Sequence, residues 1–120
     1  MKYAFEHLEV WKDSRELTKL IYELSSSFPN EEQFGLTSQL RRAVVPISLN
    51  IVEGSSRISK KDQANFYKNA FSSATEVLGA LFLALDLNYI NENDLSEIRP
   101  KIEKVTNKLN ALRKAILNKT

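Results

Sequence analysis

The sequence predicts an all-α protein built as an antiparallel up-down-up-down four-helix bundle. Three observations lead there. Apolar residues recur at three- and four-residue steps in four segments of the 120-residue chain. Three glycines and three prolines are too few for the turns of a β-sandwich or barrel. Short polar stretches separate the segments, and short connections put consecutive helices antiparallel. No repeat, low-complexity tract or linker divides the chain, so residues 1–120 read as one domain, long enough to bury a core without metals or disulfides.

The first helix is expected over residues 8–26, where Val10, Trp11, Leu17, Leu20, Ile21 and Leu24 share a face. Ser25-Ser26-Ser27 and Phe28-Pro29 end it, because a residue before proline avoids helical geometry. The second is expected over 34–56, with Leu36, Leu40, Ala43, Val44, Ile47 and Ile51 as its stripe. Val45, Leu49 and Val52 add a second apolar side that leaves only a narrow wet face, and Gly54-Ser55-Ser56 reads as the stop signal. The third is expected over 60–88, opened by a capping box of Ser59 and Asp62, with Tyr67, Ala70, Phe71, Ala74, Val77, Leu78, Leu81 and Leu85 in register. The fourth is expected over 94–117. There Leu95, Ile98, Ile102, Val105, Leu109, Leu112 and Ile116 form a heptad seam, and Pro100 is expected to kink or restart the helix.

The stretch QLRRAVVPISLNIVEG, residues 39–54, is mostly apolar yet holds a helix breaker and several strongly polar residues. Pro46 cannot donate to the carbonyl of Arg42, so a bend is expected over 42–46, with Ser38 or Gln39 serving the freed carbonyl. Arg42 and Glu53 lie three turns apart on one face, and Glu76 sits among apolar residues of the third helix, where an unpaired carboxylate is costly. Internal polar pairing is therefore expected among Arg41, Arg42, Asn50, Glu53 and Glu76, with either arginine meeting either glutamate across the bundle.

Composition excludes several chemistries. There is no cysteine and one histidine, His7, so disulfides, thiolate metal sites and Ser-His-Asp or Cys-His arrangements are unavailable. No Glu-x-x-His pair for a di-iron site and no phosphate-loop glycine pattern occurs. Glu31, Glu32 and Asp62 fall in turns, where capping accounts for them. No catalytic residue, metal, cofactor or small-molecule substrate is expected. MKYAFEHLEVWK lacks the apolar run of a signal peptide, and the longest uncharged apolar run, Val77–Leu85, is far short of the roughly 18 residues a membrane span needs. The protein is expected in the cytoplasm, where the N-x-T match Asn118-Lys119-Thr120 reads as chance.

Net charge is +2, unevenly spread. Residues 1–38 balance at −3, residues 39–61 at +4, and the chain from Arg99 onward at +6. Arg57, Lys60 and Lys61 gather before the third helix, and Lys101, Lys104 and Lys108 share one face of the fourth. Such segregation favours an anionic partner such as RNA or DNA, held by salt-sensitive phosphate contacts. Arg41, Arg42, Arg57, Lys60, Lys61, Lys101, Lys104 and Lys108 are the candidate nucleic-acid-binding residues. Reversing the lysine trio to glutamate is then expected to abolish retention on RNA and leave helicity and assembly unchanged.

A family resemblance accompanies these readings. FEHLEVW at 5–11, IY at 21–22, FP at 28–29, FGLTSQLRRA at 34–43, NIVEG at 50–54, Arg57, AFSSATE at 70–76 and LNYI at 87–90 resemble the four-helix bundle proteins encoded in intervening sequences of bacterial 23S ribosomal RNA genes. A more distant likeness is to the accessory protein of diversity-generating retroelements. The resemblance implies a bacterial or phage-related homopentamer with an RNA-associated role. The distant relative implies a basic pentameric barrel that binds nucleic acid and a reverse transcriptase. Relatives carry serine at the position of Pro46 and proline at that of Ser48, which moves the breaker about 200° around the helix axis. They carry glycine where Ser72 stands, so a close helix crossing there is expected to loosen.

Two readings of function follow. One is a non-enzymatic homo-oligomer that contacts nucleic acid. The other is an adaptor oligomer that binds a protein, a reverse transcriptase for example, without touching nucleic acid. Phe5, Trp11, Phe34, Phe66 and Phe82 lie outside the strict seams, and apolar area beyond one core marks an interface, which serves both readings.

Overall fold

The computed structural model describes residues 1–118, so Lys119 and Thr120 of the N-x-T match lie outside the described residues. A 3-10 turn, Ala4–His7, precedes helix α1, Glu9–Ser25. A second 3-10 turn, Asn30–Glu32, leads into α2, Leu36–Ser56. Helices α3, Lys60–Asp86, and α4, Glu92–Leu117, complete the chain, and no strand occurs among the described residues.

Each end has a local cause. The side chain of Ser59 caps α3 by accepting from the Asp62 amide at 3.2 Å, although the reciprocal arm expected from Asp62 does not form. A complete capping box opens α4 instead: Asn91 accepts from the Asp94 amide, and Asp94 accepts from the Asn91 amide. This box starts α4 at Glu92 rather than at 94. Asn88, with φ 63°, takes the left-handed conformation that closes α3 two residues earlier than expected.

Neither internal proline breaks its helix. Pro46 and Pro100 lie within α2 and α4, which the structure runs as single helices. Pro100 is exposed, so water can reach the carbonyl it leaves unserved, and no restart is needed. At Pro46, neither the Ser38 nor the Gln39 side chain donates to the freed carbonyl among the described residues. Asn50 Nδ2 donates to the Pro46 carbonyl at 2.8 Å.

The helices form a square. Each packs on its sequence neighbours and α1 closes on α4, while the backbones of diagonally opposed helices nowhere approach within 8 Å among the described residues. Residues 14 and 48 meet through a 2.8 Å hydroxyl pair, while Arg41 reaches Tyr22 and Ser25, so α1 and α2 run in opposite directions. Pairing of Glu9 with Lys108 and of Glu16 with Lys101 sets α4 antiparallel to α1 as well. The α2–α3 connection, residues 57–59, spans about 10 Å at most, so α3 must fold straight back along α2.

Leu17, Ile21, Leu40, Ile47, Ile51, Leu81, Ile102 and Leu109 are almost wholly buried along the axis. Burying each contributes about 1.5–3 kcal/mol. Ala64, Ala70, Ala74, Ala80 and Ala84 line the inner side of α3, where short side chains let its neighbours approach. Gly54 is not a stop signal. It is buried inside α2, and a Cβ there would lie 2.7 Å from Tyr67 Cε1, so glycine is what lets α2 meet α3. Ser72 is exposed, so no crossing within the chain depends on it. Ser48 holds the fully buried Ser14, which gives it a cross-helix role proline could not fill.

Candidate nucleic-acid interface

The eight candidate residues do not form one surface. Lys101, Lys104 and Lys108 face α1, where Glu9, Asp13 and Glu16 stand at matching helical steps. Because the helices are antiparallel, the two stripes close like rungs. Lys101 meets Glu16 at 3.2 Å, Lys104 meets Asp13 at 3.3 Å, and Lys108 meets Asp13 at 2.7 Å and Glu9 at 3.2 Å. The trio expected to form the phosphate-binding face is instead engaged by carboxylates within the chain. The −3 of residues 1–38 and the +6 beyond Arg99 are the visible signal, and they answer each other across the α1–α4 seam.

The centre of the ladder differs from its ends. Asp13 retains only 14% side-chain exposure, whereas Glu9 and Glu16 are 81% and 60% exposed. Outer rungs in water contribute little. Burial pushes the Asp13 carboxyl up, but hydrogen bonds from Lys108 and Lys104, with their charges, bring it below its ordinary value. Lys108 is correspondingly raised, first by its hydrogen bond to Asp13.

The turn before α3 is also partly engaged. Arg57 pairs with Glu53 at 3.2 Å and lies over the Phe66 ring at 4.7 Å. Lys60 and Lys61 open α3 on its exposed side.

The expected cross-bundle pair of Arg41 or Arg42 with Glu53 or Glu76 does not form. Glu53, exposed in the last turn of α2, turns to Arg57, which directly follows the helix. Glu76 is exposed, not set among apolar side chains, so it needs no buried partner. Asn50 bonds the Pro46 carbonyl within its own helix. Arg41 instead binds α1: Nε donates to Ser25 Oγ at 2.9 Å, Nη2 donates to the Tyr22 carbonyl at 3.3 Å, and the guanidinium stacks on the Tyr22 ring at 4.6 Å. Arg42, one residue on, is exposed and has no carboxylate partner among the described residues.

These two arginines edge a groove of ≈ 550 Å³ between the end of α1 and the start of α2. Tyr22, Phe34, Thr37 and Ser38 share its lining with both guanidiniums, and no carboxylate does. The Phe34 ring is 91% exposed. In the sequence Phe34 stands out only as surplus apolar area, and nothing there ties Tyr22 to it. What joins them is the 3-10 turn, whose Glu32 carboxylate accepts the Leu36 amide at 2.9 Å and the Tyr89 hydroxyl at 2.7 Å. Glu32 is held below its ordinary value, first by the Leu36 amide and then by Tyr89.

Among the described residues no cluster of three or more His, Asp or Glu side chains is placed to hold a metal ion. None of the described helices is long and apolar enough to cross a membrane.

Comparison with known proteins adds the family context. The family model described as "23S rRNA-intervening sequence protein" matches residues 6–111. A crystal structure of a protein of unknown function from the S23 ribosomal protein family of Bacteroides thetaiotaomicron superposes with a TM-score of 0.81. The two are 24% identical over 88% of this chain and 98% of that one, which shows a shared fold. Curated proteins yield no match.

Proposed function

The chain belongs to the 23S rRNA-intervening sequence protein family, and from that premise we propose that it is a non-enzymatic homo-oligomer, five-membered by family resemblance, that associates with RNA in the cytoplasm. The observation that carries the RNA contact is the Arg41–Arg42 face, where two guanidiniums edge a groove whose lining holds no carboxylate. Lys61, exposed in the first turn of α3, adds a second basic point beyond the other end of α2. Repeated around a ring, modest patches become multivalent, so weak contacts per protomer add up to retention.

Assembly is supported by apolar side chains that the square leaves uncovered. Leu49 is 57% and Leu83 55% exposed, with Val45 and Val52 half-buried beside Leu49 along α2. Gly79 lies on the exposed side of α3, and among the described residues nothing beyond its own helical neighbours comes within 4 Å of where its Cβ would be. A helix-interior glycine without an internal reason fits close approach by another protomer.

Matching of the lysine trio within the chain favours the second reading, an adaptor that binds a protein partner and ignores nucleic acid. Light scattering after size exclusion, with and without RNA at low and high salt, separates the two. The RNA reading expects a multimeric mass that co-elutes with RNA at low salt and releases it at high salt. It also expects the Arg42→Glu/Lys61→Glu variant to keep its mass and lose the RNA. A multimer that ignores RNA at low salt overturns the RNA contact, and a monomer at high concentration overturns the ring.

A further inference from the structure

Resting on the RNA reading above, we propose that the Tyr22–Phe34–Arg41–Arg42 groove is a site for an unpaired nucleotide, so that the protein takes single-stranded rather than duplex RNA. The groove holds each group such a ligand needs. The Phe34 ring is 91% exposed and has no aromatic or cationic partner among the described residues, which leaves its face open to a base. Base–aromatic stacking tolerates any sequence, because every base has a π-face. Arg41 is already fixed by Ser25, by the Tyr22 carbonyl and by the Tyr22 ring, so aiming its remaining N–H groups at a phosphate costs little further ordering. Arg42 adds a second guanidinium, and the Thr37 and Ser38 hydroxyls can meet the ribose. At ≈ 550 Å³ the groove falls within the ordinary range for small-molecule sites.

The same chemistry argues against the other occupants. An A-form duplex keeps its bases stacked and offers phosphates and ribose hydroxyls, so it uses the arginines and leaves Phe34 idle. A second copy of the chain would have to bring its own carboxylates to two guanidiniums that find none in the groove, or leave both desolvated and unpaired.

Fluorescence anisotropy tests this with a labelled single-stranded RNA of roughly 12 nucleotides and with its duplex. Phe34→Ala removes a ring that supports nothing inside the chain. It is expected to weaken single-strand binding by about tenfold to a hundredfold, to leave duplex binding within about twofold, and to be rescued by Phe34→Trp. If Phe34→Ala leaves single-strand binding unchanged while Arg42→Glu/Lys61→Glu abolishes it, the stacking site is refuted and the RNA reading stands. If the wild type binds neither RNA, both fall together. A change in light-scattering mass on Phe34→Ala would make the groove a contact between copies and refute the nucleotide site.

Discussion

Replacing Gly54 by alanine should destabilise the protein even though alanine is the better helix former. The added Cβ would lie 2.7 Å from Tyr67 Cε1, 3.0 Å from Tyr67 Cδ1 and 3.1 Å from Phe66 Cβ. Tyr67 is only 3% exposed, so its ring cannot swing into solvent, and α2 must move away from α3. Overpacking of this kind costs about 1–3 kcal/mol. The helix preference of alanine over glycine returns about 1 kcal/mol, which leaves a net loss of up to about 2 kcal/mol. For a chain of this size that is a Tm lower by up to roughly 10 °C. Gly79→Ala is the internal control. Its Cβ meets nothing within 4 Å, so only the propensity term remains and the protomer should gain up to about 1 kcal/mol. Far-UV circular dichroism melts of both variants at several protein concentrations separate fold stability from association. If Gly54→Ala melts at or above the wild type, the close α2–α3 contact is not what glycine serves there.

Three further outcomes are expected. Asp13 is held below its ordinary 3.8. Its stabilisation is therefore complete above that value and lost as pH falls through the lower folded value. Acid titration of stability should show a steeper loss in the wild type than in Asp13→Asn, and equal slopes would remove Asp13 from the account. Reversing Lys101, Lys104 and Lys108 together to glutamate should lower Tm, with the deficit shrinking toward about 1 M salt as like charges across the α1–α4 seam are screened. An unchanged Tm would mean that the ladder is ornamental and would return the trio to the surface. Finally, Tyr89→Phe removes one of the two hydrogen bonds that hold Glu32 down, so NMR titration should place the Glu32 carboxyl closer to its ordinary 4.5. No movement would show that the Leu36 amide alone sets it.

What can be read from the sequence follows a physical rule: features fixed by period are legible, and features fixed by which helix sits beside which are not. The α4 seam needs only its own periodicity, and Leu95, Ile98, Ile102, Val105 and Leu109 are all buried. Gly54 has the composition of a stop signal, and only Tyr67, from another helix, shows that it is a contact. The partners of Arg41 are hidden in the sequence because Ser25 and Tyr22 become its neighbours only once α1 lies against α2.

The charge pattern carries the same lesson into function. An acidic first segment and a basic last one read as a polar molecule seeking an anion, but a square bundle makes first and last helices adjacent. The two stripes then largely satisfy each other. Cationic character therefore moves from α4, where the lysines are dense, to the start of α2, where two arginines stand without carboxylates in the groove they edge. A lysine paired with a neighbouring carboxylate must give up that partner to neutralise a phosphate, so it contributes less to the release of counterions from the nucleic acid that drives binding. Arg42, exposed and without a carboxylate partner among the described residues, lacks that handicap, so under the RNA reading proposed above fewer charges on α2 weigh more than a denser cluster on α4.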